Sequence, residues 1–513
     1  MPHADPWPER LRPLLLPALL LLLELAAILA LNGGLLSYTL DDAYIHLAMA
    51  EEIARSHYGV QPGQVAAASS SIAWPALLAL FRGALWAPLL LNFILCLWCV
   101  DQSLTWLRGT WPALSARARA ALALGVMLAG NLAGLVFLGL EHLLQAALAL
   151  LLLRGLERFL REGRVSMSWQ AALALAPLVR YELLALTLPA LLLLALRGRR
   201  GRALGLLLLS LLPLAAFSLW LRGQGLDALP ASILVKAEAG PHEGPLRLLA
   251  RNLFHNLLDA QGLLLALAAT ACLAAWRDSR RAMHERGLAL FILLAAGLHL
   301  LGGRMGWYAR YEQYLWLPAA LVLARLFAPR LERLWERRAT TLAALAAFLL
   351  IHRLNVHALL TTPLAANNIL VQQGELRRFA AEIWRGPVAA NDIGYLNWRN
   401  EWPVLDLWGL SSAEARRWRA AGMDAAELDT LLRREGVAVA LIYEPWFPHL
   451  PAGWRRLGEL RLTRPCITPA LPAVSFWCAD PAAWERLRAA ARTFAAGLPA
   501  GAVFVVDESG SRP

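Results

Sequence analysis

Long apolar runs, separated by short connectors rich in arginine, constrain the fold of this chain more than any other feature. The first run covers residues 12–32, and another covers residues 203–221. A stretch of about 20 apolar residues is long enough to cross the hydrocarbon core of a bilayer as a helix. The hydrophobic fraction of the 513 residues is 58%, whereas average soluble domains have about 45–50%. The sequence therefore predicts an all-α polytopic membrane domain.

Hydropathy divides the chain into about eleven predicted membrane-spanning helices. They cover residues 12–32, 86–107, 118–138, 143–160, 169–180, 183–196, 203–221, 260–276, 288–302, 315–328 and 340–358. Two neighbours, 169–180 and 183–196, are too short to cross a bilayer alone, so we expect a bent pair with a polar elbow. No small-residue cleavage site follows the first run, which favours a retained helix over a signal peptide.

The arginines indicate how the chain is oriented in the membrane. Every second connector carries several of them, as in residues 154–164, 197–202 and 277–286. Cytoplasmic loops of membrane proteins carry such an excess. We therefore expect a multi-pass membrane protein with a cytoplasmic N-terminus and an extracytoplasmic C-terminal domain. The net charge of +12 is spread over these connectors, so it does not indicate a nucleic-acid partner.

The chain changes character after residue 360, where strand-like and helix-like segments alternate. The strand-like runs are PVAAND (387–392), PVLDL (403–407), VAVALIYE (437–444) and AVFVV (502–506). This alternation predicts a small α/β domain over residues 361–513, beside a membrane domain over residues 1–360. Cys466 and Cys478 lie in the smaller domain. The sequence leaves open whether they form a disulfide, which an extracytoplasmic location permits.

Two adjacent carboxylates, Asp41 and Asp42, lie near the start of the first loop, residues 34–73, which we expect outside the cytoplasm. Carboxylates at membrane level are costly and are therefore candidates for function. Apolar residues at helical spacing follow them, which predicts a helix on the membrane surface. A structural alternative is that Asp41 caps this helix and Asp42 stabilises its dipole.

Four cations lie where they can face the same side of the membrane. Lys236, Arg304 and Arg310 lie in predicted outside loops, and Arg180 lies at the elbow. Lysine binds phosphate as a point charge and arginine can hold two oxygens, so each is a candidate for a phosphate contact. Interfacial arginines also anchor helices through extended side chains, which is the alternative for Arg304 and Arg310. Lys236 is the sharper candidate because it is the only lysine.

Further polar residues on the expected outer side are candidates for substrate contacts. Glu141 and His142 open an outside turn, Glu182 follows the elbow, and His46 lies one helical turn beyond Asp42. Each has a structural alternative, such as a helix start, a local ion pair or a local hydrogen bond. The sequence contains no metal-binding spacing of histidines and no phosphate-binding glycine loop. It predicts no cofactor, although a divalent metal on Asp41 or Asp42 stays open.

The stretch DDAYIHLAMAEEIARSHYGVQPGQ, residues 41–64, resembles the first-loop motif of polytopic GT-C glycosyltransferases, and most closely the group typified by the mycobacterial terminal arabinofuranosyltransferase. Similar stretches follow in order over most of the chain: GLEHLLQAAL (139–148), LVRYELLALTLPALLL (178–193), LPASILVKAEAG (229–240), WYARYEQYLWLPAA (307–320) and NDIGYLNWRNEWPVLDLWGL (391–410). The resemblance implies a GT-C-like fold with Asp41 or Asp42 as catalytic base and Tyr44 as a substrate contact. It also implies the bacterial cytoplasmic (inner) membrane as the location, with the C-terminal domain periplasmic.

The function that this resemblance implies is transfer of a sugar, with a pentofuranose among the candidates, from a polyprenyl-phosphate donor to an envelope glycan, lipid or protein. Such a transfer needs a carboxylate that takes the proton of the acceptor hydroxyl. It also needs cations for the leaving phosphate. The alternatives are a transporter or flippase of lipid-linked sugars and a non-catalytic envelope assembly protein. The lack of repeated halves in the sequence disfavours a transporter.

Overall fold

Helices form nearly all of the regular structure before residue 370. The computed structural model describes residues 11–237, 244–335 and 338–507. Its helices in this part are α1 (Leu15–Leu31), α2 (Asp42–Ala54), α3 (Ala73–Ala79), α4 (Trp86–Thr110), α5 (Ala116–Ala129), α6 (Leu132–Phe137), α7 (His142–Glu162), α8 (Met167–Val179), α9 (Leu184–Leu196), α10 (Arg200–Gly223), α11 (Ala231–Ala237), α12 (Pro245–Leu258), α13 (Ala260–Arg277), α14 (Met283–Gly302), α15 (Gln313–Leu326), α16 (Ala328–Trp335), α17 (Arg338–Ile351) and α18 (Arg353–Ile369).

Several of these helices have the length and composition of membrane spans. Within the described residues, five qualify: Arg12–Leu31, Trp86–Thr110, Arg200–Gly223, Ala260–Arg277 and Met283–Gly302. A sixth span is formed if the bent pair Ala339–Ile351 and Arg353–Trp384, which meet at 61°, is one crossing. These helices support a multi-pass membrane protein. The predicted number of about eleven spans stays a prediction.

Two local breaks shape the part of the membrane domain that carries polar residues. The predicted span 118–138 is divided into α5 and α6 because Asn131 adopts a left-handed backbone conformation with φ 47°, which asparagine tolerates better than most residues. The predicted elbow is present between α8 and α9, where Arg180 is extended. Both breaks place a polar side chain where a continuous helix would present apolar ones.

A mixed sheet forms the C-terminal domain together with four α-helices and three short helical segments before β1, Leu370–Gly374, Glu375–Arg378 and Phe379–Trp384. The strands are β1 (Val388–Ala390), β2 (Val404–Asp406), β3 (Val439–Ile442), β4 (Arg455–Leu462), β5 (Ala473–Cys478) and β6 (Ala502–Val506). The helices are α19 (Gly394–Asn397), α20 (Ala413–Ala420), α21 (Ala425–Arg434) and α22 (Trp484–Ala496). The strand order is β2-β1-β3-β5-β4-β6, with β1 parallel to β2 and β3 and the other neighbours antiparallel.

The first-loop helix α2 is part of the core of this C-terminal domain. Ile45 and Met49 belong to the same buried cluster as Phe379 and Phe476. The apolar spacing that predicted α2 is therefore satisfied by the C-terminal domain. This packing brings the first loop of the membrane domain and the C-terminal domain into one unit.

A polar joint completes the contact between the two domains. The Oδ2 atom of Asp41 accepts a hydrogen bond from the Gly394 amide at 2.7 Å, and its Oδ1 atom accepts one from the Tyr395 amide at 2.8 Å. The ring of Tyr44 stacks on that of Tyr395 with 3.8 Å between centroids. A Cβ atom at Gly394 would lie 2.1 Å from the carbonyl oxygen of Asp41, so the joint requires glycine there.

Four strands of the C-terminal domain lie where the strand-like runs predicted them, namely β1, β2, β3 and β6. The sequence analysis missed β4 and β5. Strand β4 has the sequence RRLGELRL, and its charged residues mask the alternation that predicts a strand. The predicted domain boundary near residue 360 stays a prediction, and the helical segment Arg353–Trp384 runs across it.

The disulfide that was considered between Cys466 and Cys478 is not formed. Both cysteines are free, and their thiols donate to different carbonyl groups, those of Pro469 and Asp480. Cys478 ends the six-residue strand β5, whereas Cys466 lies in the loop before that strand begins.

We predict that Gly394→Ala weakens the joint between the domains. The added methyl group overlaps Asp41, and overpacking of this kind costs about 1–3 kcal/mol in the free energy of unfolding. Urea unfolding and hydrogen exchange of the segment around residue 394 would measure the loss. Gly374→Ala is the matched control, since its new Cβ would meet the Tyr395 ring at an ordinary 3.4 Å. Equal stability of the two variants would contradict the prediction.

Candidate active site

A cavity between the membrane domain and the C-terminal domain contains both predicted catalytic carboxylates. Its volume is about 370 Å³. The start of α2, the loop before α15 and loops of the C-terminal domain form its walls. The polar and aromatic residues in these walls include Asp41, Asp42, Arg304, Trp307, Arg310, Tyr311, Asp392, Trp408, Arg419 and Trp446.

Asp42 and Arg310 form an ion pair in the cavity wall. The Nη2 atom of Arg310 donates to Asp42 Oδ2 at 3.0 Å and to the Tyr311 hydroxyl at 2.9 Å. The Asp42 side chain is 42% exposed, whereas that of Arg310 is 3% exposed. Within the described residues, Nε and Nη1 of Arg310 have no hydrogen-bond partner. A buried guanidinium with two vacant donors is suited to an oxyanion such as phosphate.

Asp41 has a different environment from its neighbour. It is fully committed to the joint with Gly394 and Tyr395, and its side chain makes no capping bond to α2. The hypothesis that Asp41 caps this helix is therefore wrong. Burial, and after it the negative charge of Asp392, raises the pKa of Asp41, while the two amide hydrogen bonds oppose this shift.

Asp392 is a third carboxylate of the cavity that the sequence analysis did not select. The sequence alone favours turn and capping chemistry for Asp392 in the NDIGYL stretch. Its Oδ2 atom accepts a hydrogen bond from Gln373 Nε2 at 3.2 Å. Burial raises the pKa of Asp392, and the negative charge of Asp42 adds to the effect. The sequence did contain a signal for Asp392, because the NDIGYL stretch matches one of the family motifs. The interpretation as a turn was given more weight than this match.

The loop before α15 holds Arg310 through an unusual backbone path. Trp307, Tyr308 and Ala309 are consecutive left-handed residues, with φ of 47°, 61° and 49°. The Asn131 side-chain amide donates to the carbonyl oxygens of Tyr308 and Ala309 at 3.2 and 3.0 Å. The Gly306 amide donates to Glu312 Oε2 at 3.0 Å. Two polar side chains from outside the turn thus fix its conformation.

Five residues that were predicted separately form one buried network beside the cavity. Arg180 donates from Nη1 to Glu141 Oε1 and from Nη2 to Glu182 Oε1, each at 2.6 Å. His46 Nε2 lies 3.5 Å from Glu141 Oε2, and His142 Nε2 lies 3.4 Å from Arg180 Nη1. Burial of these charges is tolerated because each faces an opposite charge or a hydrogen-bond partner.

Two smaller spaces continue the cavity toward the membrane helices. The first, about 260 Å³, is lined by Arg180 and Glu182 and shares Arg304 and Tyr311 with the cavity. The second, about 300 Å³, shares Glu182 with the first. Its apolar walls include Leu184 and Leu188 of α9 and Leu298 of α14. The surface along this path changes from charged near Asp42 to apolar beside the helices.

Some predicted site residues lie elsewhere. Tyr44 is completely buried and bonds through its hydroxyl to Ser37 and the Tyr38 amide, so its position is one of packing. Lys236 lies in α11, but its side chain is outside the described residues. No group of three or more His, Cys, Asp or Glu side chains in the described part of the chain is arranged to hold a metal ion.

Comparison with known proteins supports the fold. A family model described as "Domain of unknown function (DUF8728)" matches residues 367–477, and no curated protein shows a significant match. The structure resembles the crystal structure of ArnT from Cupriavidus metallidurans bound to undecaprenyl phosphate, with a TM-score of 0.52 and 13% sequence identity, covering 90% of this chain and 98% of that chain. At this identity the likeness shows a shared fold. The arabinofuranosyltransferase group stays a prediction.

We predict that the loop that holds Arg310 becomes less stable as pH rises. Burial raises the pKa of Glu312 from 4.5 to about 7. The folded state thus favours the protonated form of Glu312. The stability that this protonation contributes to the folded state is complete below pH 4.5 and is lost as pH rises through about 7. Thermal unfolding and hydrogen exchange of residues 304–312 in lipid nanodiscs would measure the loss.

Glu312→Gln is the decisive variant for this prediction. Glutamine has the shape of the protonated acid and keeps an acceptor for the Gly306 amide, but it does not titrate. We expect its stability to change less than that of the wild-type protein between about pH 5 and pH 8. The same pH dependence in both proteins would show that Glu312 is not responsible.

Proposed function

We propose that this chain is a membrane glycosyltransferase that moves a sugar from a polyprenyl-phosphate donor to an acceptor hydroxyl outside the cytoplasmic membrane. The observation that carries the proposal is the Asp42–Arg310 pair, because it combines an accessible carboxylate with a buried cation that has two vacant donors. These are the two groups that the chemistry needs in one cavity.

The path from the cavity to the membrane helices suits a lipid carrier. The apolar walls along α9 and α14 match an isoprenoid chain, and the charged segment with Arg304 and Arg310 matches its phosphate. The structure of ArnT that shares this fold was crystallised bound to undecaprenyl phosphate, which supports a carrier of the same class here. The first-loop resemblance adds a pentofuranose as the candidate sugar.

The residues divide the reaction between them. The acceptor oxygen forms a bond to the anomeric carbon of the donor while the bond from that carbon to the phosphate oxygen breaks. The hydroxyl proton passes to the Asp42 carboxylate, and the electron pair of the broken bond stays on the carrier phosphate. Arg310 stabilises the growing charge through Nε and Nη1, with Arg304 beside it, so no strong general acid is required.

Asp41 and the Arg180 network have positioning roles in this proposal. Asp41 fixes the start of α2 to the C-terminal domain and thereby directs the next residue, Asp42, into the cavity. Arg180 is already paired with two carboxylates, so it shapes the phosphate end of the site with Glu141 and Glu182. In the cell, the cavity would open on the periplasmic side of the cytoplasmic membrane, with the N-terminus inside.

We predict that Asp42→Asn lowers donor turnover by about 100-fold or more, the usual contribution of a general base. Undecaprenyl phosphate binding should stay within about twofold of wild type, since Arg310 and the apolar path remain. Purified protein in nanodiscs, supplied with a panel of polyprenyl-phosphate sugars, would provide both measurements. Asp278→Asn is the matched control, because the Asp278 side chain is 43% exposed, as Asp42 is, but lies in a different connector.

The variant Asp41→Asn distinguishes the role of Asp41 from that of Asp42. Asparagine keeps one oxygen acceptor and loses the second, so we expect lower stability of the joint and a smaller decrease in turnover than for Asp42→Asn. A larger decrease for Asp41→Asn at unchanged stability would make Asp41 the base. If no donor is consumed while all variants bind it alike, a transporter of lipid-linked sugars or a non-catalytic assembly protein explains the site better.

We predict that Arg310→Lys weakens binding of undecaprenyl phosphate and lowers turnover together. Lysine keeps the positive charge but cannot offer the planar donors Nε and Nη1. Loss of such phosphate contacts should decrease turnover by about 100-fold, and titration with undecaprenyl phosphate would show the change in Kd. Arg55→Lys in the first loop, at a side chain that is 65% exposed, is the control. Unchanged Kd for Arg310→Lys would place the phosphate elsewhere.

A further inference from the structure

A second, larger groove lies on the C-terminal domain next to the cavity. Its volume is about 1080 Å³. Its floor consists of Ala473 and Ser475 of β5 and Glu459 of β4, which is paired with Ser475 in the sheet. We propose that this groove binds the acceptor and that the acceptor is a neutral, hydroxyl-rich oligosaccharide. This inference rests on the proposed transferase function and names the substrate class that the function leaves open.

The groove begins where the cavity ends. Three chain segments line both spaces. Arg419 lines the cavity and Gly422 lines the groove, two to three residues further along the same segment. Trp446 lines the cavity between Pro445 and Phe447 of the groove, and Ala470 lines the cavity directly before Leu471 of the groove. The groove and the cavity thus lie against the same three chain segments, and in this proposal the reacting end of a bound chain lies on the cavity side.

The polar groups of the groove are fixed in advance of binding. Arg456 donates from Nε to Glu444 Oε2 at 3.0 Å and from Nη2 to Glu459 Oε2 at 2.7 Å. Ser475, 4% exposed, donates to the same Glu444 oxygen at 2.9 Å. In the described part of the chain, Glu444 Oε1 keeps its acceptor capacity. A preorganised carboxylate oxygen is a strong acceptor for hydroxyl donors.

The charge of the groove selects against phosphate-rich acceptors. Its described lining residues include Asp424, Glu444, Glu459 and His449 but neither arginine nor lysine. Arg456 lies behind this lining and is already paired with Glu444 and Glu459, so an anionic headgroup or a phosphate polymer would face carboxylates without a lining arginine or lysine to bind it. A neutral sugar chain would find oxygen acceptors and the rigid rings of Pro445, Pro448 and Pro472, whose flat apolar surfaces suit the C–H faces of pyranose and furanose rings.

A peptide acceptor fits the groove less well than a glycan does. Extended peptides commonly bind by adding a strand to a free sheet edge. The edges of this sheet are β2 and β6, whereas the groove floor lies on β4 and β5, which pair with neighbours on both sides. The groove therefore offers side chains and a space for a bulky chain, and no backbone ladder for a peptide.

The test measures glycan binding and donor binding separately on the full chain in nanodiscs. The probes are linear heptasaccharides of arabinan, galactan, mannan and glucan, with polyglycerol phosphate as the anionic comparison and undecaprenyl phosphate as the donor-site ligand. We expect one neutral glycan to bind the wild-type protein. Glu444→Gln should weaken that binding about tenfold through loss of a charge-assisted hydrogen bond, with undecaprenyl phosphate affinity as in wild type.

Two more variants keep the outcome decisive. Ala473→Trp fills the floor of the groove and should abolish glycan binding without removing a polar group. Glu427→Gln, an exposed carboxylate of α21 outside the groove, should bind glycan as wild type does. The proposal is overturned if Glu444→Gln and Ala473→Trp leave glycan binding unchanged. It is also overturned if the protein binds polyglycerol phosphate but no neutral glycan, or if it binds no probe at all. Glycan binding through Glu444 in a protein that consumes no donor would retain the groove and reject the transferase.

Discussion

The joint between Asp41 and the amides of Gly394 and Tyr395 is the interaction on which the candidate site depends. Neither domain forms the cavity alone, because its walls come from the first loop, the loop before α15 and the C-terminal domain. Two hydrogen bonds to the partly buried carboxylate of Asp41 hold these parts in register. The stacked rings of Tyr44 and Tyr395 exclude water from the same place, which strengthens the electrostatic contribution.

Two buried arginines near this joint show how the fold distributes positive charge. Arg180 donates to two carboxylates, Glu141 and Glu182, so its charge is balanced within the protein. Arg310 has one carboxylate partner, Asp42, and two vacant donors. A buried donor without a hydrogen-bond partner is costly unless a ligand completes its contacts. This difference is the reason for proposing a ligand contact at Arg310 and structural support at Arg180, both of which the sequence made candidates.

The sequence predicted the features that depend on local pattern. Apolar runs indicated the membrane helices, and the short pair around Arg180 indicated the elbow. Adjacent carboxylates after the first helix indicated the site. It could not predict features that depend on distant contacts. Asp392 joins the cavity because β1 ends beside α2, the division between Asp41 and Asp42 depends on the position of Gly394, and β4 is a strand because β5 and β6 pair with it.

The left-handed turn before Arg310 is the clearest sign that the cation is held in place before any ligand arrives. Each non-glycine residue in this conformation costs about 1–2 kcal/mol, and Trp307, Tyr308 and Ala309 adopt it in succession. Such strain persists only where surrounding contacts fix it, and it is concentrated at functional sites. Here the contacts are the Asn131 amide and the Glu312 carboxyl group. Because the strain is already present in the resting turn, the position of Arg310 is fixed in advance, and a fixed charge stabilises a developing charge better than a mobile one does.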